Sequence, residues 1–258
     1  MTNDQRLTAN DVFLSPDWPA PPTVRAYTTL RQGGVSHPPF DSWNLASHVD
    51  DDPVLVQQNR SLLMQRLELP SSPFWLDQVH GHEIATPAQD SDIAVTQADG
   101  SYTDLTGKVC VVLTADCLPV LICNRQGTEV AAVHAGWRGL AAGVIEAAMQ
   151  KFSSPRQDLL VWLGPAIGPQ SFEVGAEVRQ AFIDQHAQTA EAFTVYTRSS
   201  WLADIYQLAR IRLQAIGVEA VYGGGLCTVS DTSRFFSYRR DQQCGRMASL
   251  IWIDYSAH

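Results

Sequence analysis

Short apolar runs separated by turn residues dominate the middle of the chain. Runs of this length, bounded by Gly, Pro, Asp or Asn, are typical of strands that are buried on both faces. We therefore predict strands at residues 108–114, 118–123, 129–134, 158–163 and 218–226.

Helical periodicity flanks these runs. Asp52 followed by Pro53 has the pattern of an N-cap and a first helical residue. This predicts a helix from residue 53 to about residue 67, with Leu55, Leu62 and Leu63 on its buried side. Apolar residues at helical spacing predict further helices at residues 140–152, 174–183 and 202–216.

Strands and helices alternate in the second half of the chain, whereas the first half is richer in strand and loop. This order indicates a mixed α/β fold. With 258 residues, of which 45% are hydrophobic, the chain can build one large core. We predict α/β (mixed α+β) architecture, a single domain with a mixed sheet flanked by helices over residues 1–258. Residues 1–20 are predicted to form a peripheral N-terminal segment.

Charge and cysteine usage exclude several classes of function. The formal net charge is −9, whereas nucleic-acid backbones require clustered Lys and Arg, so we expect no nucleic-acid partner. No apolar run approaches the length of a membrane span, so we expect no membrane partner. Five cysteines without a CxxC pair argue against a disulfide framework and favour the cytoplasm. Only 17% of residues are charged, which hints at an apolar interface, and we leave monomer and dimer open.

Three residues of metal-ligating types lie beside turns, namely His80, Cys117 and His134. Two imidazoles and a thiolate make a three-ligand site for zinc or copper with one coordination position open. Cys110 and Cys123 sit within apolar runs and are interpreted as packing residues. His82 is interpreted as a surface residue.

Arginines in glycine-rich turns are candidates for anion binding. Arg138 follows Trp137 in such a turn and suits phosphate or a substrate carboxylate, while a structural ion pair is an equal alternative. Arg31 precedes the Gly33-Gly34 pair. The Asp99-Gly100 and Arg239-Arg240 pairs are interpreted first as turn and surface residues.

The motifs resemble those of the YfiH-type laccase-domain family across nearly the whole chain. The most specific are Thr114-Ala115-Asp116-Cys117 and the block from His134 to Gly139. Leu30 looks like one extra residue before Arg31. The other matching segments are residues 31–36, 44–45, 48–49, 78–81, 98–100, 118–121, 164–168, 172–175, 203–204, 227–228, 235–240 and 245–246.

The resemblance implies a metal-dependent purine nucleoside phosphorylase that acts on adenosine, inosine, guanosine and methylthioadenosine with phosphate, and that also deaminates adenosine. It assigns the metal, zinc or alternatively copper, to His80, Cys117 and His134. The expected partners are small molecules, namely purine nucleosides and phosphate. Arg31, Asn44 and Arg138 are assigned to substrate or phosphate.

Two other activities stay open from the same residues. A thiol amidase or hydrolase that edits peptidoglycan precursors would use Cys117 as nucleophile, His134 or His80 as base and Asp116 as the orienting group. A copper-dependent polyphenol oxidase would need more copper ligands than these segments supply. In the phosphorylase interpretation, Asp116 and Cys117 are the catalytic candidates, and Asp116 would shuttle a proton during deamination.

Overall fold

The structure is a computed structural model that describes residues 12–87 and 96–255. Its strands, in chain order, are β1 (Phe13–Leu14), β2 (Val24–Thr29), β3 (Leu76–Asp77), β4 (Ile84–Ala85), β5 (Thr96–Gln97), β6 (Gly100–Thr103), β7 (Val109–Thr114), β8 (Leu118–Asn124), β9 (Val130–Ala135), β10 (Leu159–Leu163), β11 (Glu173–Val174), β12 (Phe193–Val195), β13 (Trp201–Ala203), β14 (Val221–Gly223) and β15 (Met247–Ile253). Its α-helices are α1 (Pro53–Arg66), α2 (Trp137–Ala142), α3 (Val144–Met149), α4 (Ala176–Ile183), α5 (Ile205–Ala215) and α6 (Tyr238–Asp241). Short 3₁₀ helices span Arg156–Asp158 and Ala187–Ala192.

Two large β-sheets lie face to face. One has the strand order β1-β2-β15-β7, and the other has the order β14-β10-β8-β9-β6-β4. The first is antiparallel throughout, whereas parallel pairs occur at both edges of the second. This arrangement confirms the predicted mixed α/β fold. Smaller sheets have the orders β11-β13-β12 and β3-β5.

Apolar residues on both faces of the central strands create three hydrophobic layers. In β7, Cys110 and Val112 pack against the opposite sheet, while Val111 and Leu113 pack outward against Trp43 and the α1 side. The other face of the six-stranded sheet packs against α2, α3, α4 and α5. Double-sided burial explains why these strands form continuous apolar runs, and the four central strand predictions are confirmed to within one residue at each end.

The predicted helix at residues 140–152 is two short helices that begin earlier. The helix is interrupted between α2 and α3 at Gly143, which has a φ of 97°. Glycine adopts this conformation without steric cost. The predicted helix at 174–183 begins later because Val174 belongs to β11, and the one at 202–216 begins after β13. There the Asp204 side chain caps α5 by accepting the Gln207 backbone N–H.

The helix predicted from residue 53 is confirmed, with the Asp52 side chain accepting the backbone N–H of Val54. Its buried residues are Val56, Asn59 and Leu63, whereas Leu55 and Leu62 are only half-buried. The strand predicted at 218–226 is shortened at both ends to β14, and its C-terminal end coincides with glycines 223–225, which all take positive φ.

The segment predicted as peripheral, residues 1–20, is partly outside the described residues. Its described part includes β1, whose two side chains are buried and which pairs with β2. Within residues 12–87 and 96–255, no helix is both long enough and apolar enough to cross a membrane.

Candidate metal centre and adjoining cavities

The chain crosses from one large sheet to the other at Cys117. Residues 115–117 connect β7 of the four-stranded sheet to β8 of the six-stranded sheet. Pairing of β8 with β9 places His134 opposite Pro119. Because Val130 and Ala132 face the opposite sheet, the alternation of β9 directs His134 into the end of the inter-sheet space.

His80 comes from a loop between β3 and β4 that is anchored from both sides. The Gln78 side chain donates to the Leu113 carbonyl and accepts the Leu113 backbone N–H, at 2.9 and 2.7 Å. His80 itself has a φ of 60°. The backbone N–H groups of Val79, His80 and Gly81 donate to the carboxylate of Asp99.

These three segments bring His80, Cys117 and His134 together as the sequence predicts. One ligand atom from each side chain lies within 4.8 Å of the other two. The Cys117 Sγ and His80 Nε2 atoms are 3.8 Å apart. His134 is buried, Cys117 is half-buried and His80 is exposed. His82 stays outside the group at the surface, near Glu83, as predicted.

Asp99 is a residue that the sequence interpretation missed. The sequence predicts a turn or surface residue at this position, yet Asp99 is fully buried, and its Oδ1 lies 2.8 Å from His134 Nδ1. Burial alone would raise the pKa of Asp99, but the hydrogen bonds from His134 and from the loop N–H groups lower it. A carboxylate at Nδ1 leaves Nε2 of His134 to bind a metal, the usual arrangement around zinc-binding histidines.

Gly136 leaves the room that the cluster needs. A Cβ atom at this position would lie 2.9 Å from His80 Cδ2, 3.1 Å from Cys117 Sγ and 3.5 Å from His134 Cε1. A Cβ at Gly139 would lie 2.5 Å from the Gly81 carbonyl oxygen. The glycines after His134 therefore allow the three segments to approach, and the donor set and its packing fit a transition metal.

The electrostatics of the cluster favour a thiolate. Burial would raise the pKa of the Cys117 thiol, but His134 and His80 outweigh this effect and lower it to about 6. Burial would lower the pKa of His134, but the Cys117 thiolate and Asp99 raise it. A thiolate is the form of cysteine that binds metals and attacks carbonyl carbons.

Asp116 lies next to Cys117 with its carboxylate bound on both sides. Oδ1 accepts the Thr228 hydroxyl at 2.6 Å, and Oδ2 accepts the Arg239 backbone N–H at 2.6 Å. Its φ is 92°. These bonds tie the crossing between the sheets to α6 and to the loop that follows β14.

Two cavities open beside the cluster and share Ala115, Cys117 and Tyr238 in their walls. The smaller, of about 250 Å³, is lined mainly by apolar and aromatic side chains, including Trp137, Ile167 and Phe172, with Arg138 and Arg239 at its polar side. The larger, of about 460 Å³, is lined by His48, Gln78, His80, Leu113, Thr114, Ala115, Cys117, His134, Tyr238 and Arg246.

Of the predicted substrate residues, only Arg138 lines one of these cavities. It is exposed, and its guanidinium lies 4.4 Å from the Trp137 ring centroid. Arg31 donates instead to the Asp41 side chain and backbone and to the Thr232 carbonyl.

Asn44 is fully buried and bonded within the fold. Its Oδ1 accepts the backbone N–H of Ala46 and Arg246, while its Nδ2 donates to the Ala46 carbonyl and the Asp51 carboxylate. The structure brings neither Arg31 nor Asn44 to the cavity walls.

Known proteins match this chain over almost its whole length. The family model described as "multi-copper polyphenol oxidoreductase laccase" matches residues 25–254. The chain is 56% identical to a purine nucleoside phosphorylase of Pseudomonas aeruginosa, over 94% of this chain and 99% of that protein. It is 52% identical to the purine nucleoside phosphorylase YfiH of Escherichia coli K12, over 93% of this chain and 98% of that protein.

Solved structures show the same fold. A crystal structure of a Neisseria meningitidis protein superposes with a TM-score of 0.91 at 45% identity, covering 95% of this chain and 100% of that chain. The crystal structure of the Bacillus licheniformis hypothetical protein YfiH gives a TM-score of 0.88 at 29% identity, covering 98% and 100%.

Proposed function

This chain belongs to the multi-copper polyphenol oxidoreductase laccase family, and we propose that it is a metal-dependent purine nucleoside phosphorylase. Its substrates would be adenosine, inosine, guanosine and methylthioadenosine together with phosphate, and it would also deaminate adenosine. The observation that carries the proposal is the His80-Cys117-His134 group, which lies where an apolar and a polar cavity meet. Relatives of nearly equal length carry the phosphorylase name.

We assign the purine base to the smaller cavity. Trp137, Ile167 and Phe172 offer apolar and aromatic surface, which suits a flat heterocycle. Arg138 stands at this cavity with no hydrogen-bond or ion-pair partner among the described residues, so it remains available to a polar group of the substrate. The contacts of Arg31 and Asn44 give no support to the substrate roles predicted for them.

Zinc is the proposed metal, and His80, Cys117 and His134 would hold it. When bound, the ion supplies Lewis-acid chemistry. Asp99 orients His134 through Nδ1, and the absence of a side chain at Gly136 keeps the three donors close. Asp116, which lines the smaller cavity, is proposed to move a proton during deamination.

Product analysis tests the function directly. Protein of defined zinc content is incubated with adenosine in the presence and absence of inorganic phosphate, and the products are separated by chromatography. We expect adenine and ribose 1-phosphate only with phosphate, and inosine in both conditions. If fully metallated, folded protein forms neither adenine with ribose 1-phosphate nor inosine, the proposal is rejected.

The thiolate beside two imidazoles favours a second candidate, a cysteine hydrolase or amidase acting on peptidoglycan precursors. Cys117 has the low pKa of a nucleophile, and His80 Nε2 lies 3.8 Å from its sulfur. Such an enzyme needs no metal, so its activity would survive a chelator that abolishes phosphorolysis. The copper oxidase named in the family description would call for several copper sites, and the described residues form a single group of candidate ligands.

A further inference from the structure

The larger cavity is lined by basic and neutral side chains, apart from Cys117, which would be a thiolate held by the metal. The protein carries 27 Asp and Glu residues against 18 Lys and Arg, yet no carboxylate is among the described residues that line this cavity. Arg246 and the imidazoles of His48, His80 and His134 line it instead. A wall of this composition suits an anionic ligand.

A buried hydroxyl in the same wall has no partner. Thr114 is 1% exposed, and its Oγ1 makes no hydrogen bond to the part of the chain that the structure describes. Buried hydroxyl groups are normally bonded, because an unpaired one costs free energy. Thr114 pairs with Met247 across β7 and β15, so the residue before Met247, Arg246, lies beside the end of the same strand.

Arg246 is held by the fold while part of its guanidinium stays free. Its backbone N–H donates to Oδ1 of the buried Asn44 at 3.0 Å, and its NH1 group donates to the carbonyls of Cys244 and Gly245. Its Nε and NH2 groups have no hydrogen-bond partner among the described residues, and the guanidinium lies 5.7 Å from the centroid of the Tyr238 ring. The preceding Gly245 packs closely, since a Cβ there would lie 2.6 Å from Phe236 Cζ. Asn44 therefore contributes to the cavity indirectly, by positioning Arg246.

His48 completes the polar end of the cavity. The side chain forms no hydrogen bond within the described parts of the chain. Burial and the charge of Arg246 lower the pKa of His48, and the Asp77 carboxylate opposes this effect. Arg246 and His48 line the same cavity, so the charge of Arg246 acts on the imidazole.

We propose that Arg246, Thr114 and His48 form the subsite that holds inorganic phosphate beside the metal cluster. This inference rests on the proposed phosphorylase function. The base would occupy the smaller cavity and phosphate the larger, with the ribose at their shared wall near Cys117 and Tyr238. There a phosphate oxygen forms a bond to C1′ as the C1′–N9 bond of the nucleoside breaks. The electron pair of the C1′–N9 bond leaves with the purine, which takes up a proton.

Variants of the subsite test this assignment through the KM for phosphate. Arg246→Met is expected to raise it by about 10- to 100-fold, because a charge-assisted hydrogen bond is lost. Arg246→Lys, which keeps the charge without the planar fork, is expected to give an intermediate value. Thr114→Val is expected to raise it by about 3- to 10-fold. The matched control is Arg25→Met, since Arg25 is a surface residue paired with Asp254.

Separate readouts distinguish a local effect from a general one. In all four variants we expect wild-type zinc content, and the control Arg25→Met should in addition deaminate adenosine in phosphate-free buffer at the wild-type rate. If Thr114→Val stabilises the protein and leaves the phosphate KM unchanged, the hydroxyl is only an unpaired buried group. An unchanged phosphate KM in Arg246→Met would overturn the subsite.

A direct binding measurement separates the subsite from the proposed function. Titration calorimetry with inorganic phosphate and the zinc-loaded protein should show binding that Arg246→Met weakens and Arg25→Met leaves intact. Phosphate binding that depends on Arg246, without any phosphorolysis by the wild type, would reject the function but keep the subsite. Phosphorolysis with a phosphate KM and affinity independent of Arg246 would keep the function and reject the subsite.

Discussion

The Asp99 carboxylate bonds the side chain of His134 at 2.8 Å and, through the same oxygen, the backbone N–H of His80 at 2.9 Å. One buried group therefore sets the positions of two candidate metal ligands from different parts of the fold. Replacing it with an amide would point an NH₂ donor at groups that themselves donate.

We expect Asp99→Asn to lower zinc affinity by about 10- to 100-fold, as is common when the partner of a metal-binding histidine is lost. Competition with a chromophoric chelator measures the affinity. Asp104→Asn is the control, because Asp104 follows β6 but is exposed. Equal affinities for the two variants would show that Asp99 has no role in binding the metal.

Gly136→Ala is expected to reduce bound zinc well below one ion per chain. Gly136 has a φ of −61°, so alanine brings no backbone strain and the effect arises only from the Cβ against His80 and Cys117. Gly81→Ala is the matched control, since its nearest neighbour atom would be 3.4 Å away at Asp99. Elemental analysis of purified proteins gives the stoichiometry, and full zinc in Gly136→Ala would contradict the steric argument.

Asp116→Asn is expected to keep zinc and fold normally but to lose deamination by about 10²–10⁴-fold. Asparagine tolerates a positive φ, its Oδ1 can accept the Arg239 N–H, and the rotatable Thr228 hydroxyl can accept from its NH₂ group. Loss of activity would then reflect lost proton transfer rather than lost structure. The rate of inosine formation is the measurement, with zinc content and thermal unfolding as controls. If the variant forms inosine at a near-normal rate, the role of Asp116 is only to stabilise the turn between β7 and β8.

Glu129 is expected to make a contribution to the free energy of unfolding that is lost in acid. This buried carboxylate accepts hydrogen bonds from Tyr102, Ser153 and Ser154. Burial alone would raise its pKa, but these bonds lower it from 4.5 to about 2. Because the folded pKa lies below the unfolded value, its contribution, about 3 kcal/mol at most, is present above pH 4.5 and disappears as the pH falls to 2.

Urea unfolding of the metal-free protein between pH 2 and pH 6 measures this contribution to the free energy of unfolding. We expect Glu129→Gln to show a smaller loss of stability than the wild type across that window. Glu68→Gln, at an exposed position, should follow the wild-type curve. Parallel curves for Glu129→Gln and the wild type would argue against the hydrogen-bonded carboxylate as the source.

The grouping of the three candidate metal ligands could be predicted because each signal is local. His80, Cys117 and His134 are metal-binding residue types beside turns within specific motifs, and the family resemblance that these motifs carry is confirmed. Strands β7, β8, β9 and β10 could be predicted as well, since double-sided burial leaves an apolar run, whereas β2, β6 and β15 of the same two sheets are not among the predicted strands. Both kinds of signal depend on residues close in sequence.

The remaining site residues depend on partners that are distant in sequence. Asp99 precedes a glycine, as many turn residues do, and only the contact with His134, 35 positions away, identifies its role. Arg31 stands in a turn suited to anion binding, but the Thr232 carbonyl, 201 positions away, takes one of its donors. The unbroken helix predicted at 140–152 failed because Gly143 adopts a left-handed conformation that the apolar spacing does not reveal.

Access to solvent differs along the cluster, with His134 buried, Cys117 half-buried and His80 exposed on a loop outside any helix or strand. Release of an ion would therefore start at His80, the most exposed ligand, and opening its loop would break the hydrogen bonds to Leu113 and Asp99 but not the pairing of the central strands. The rate of metal exchange would follow this local opening and not the unfolding of the core. The metal found in the protein would then reflect the ions available throughout its lifetime, rather than only those present when it folded.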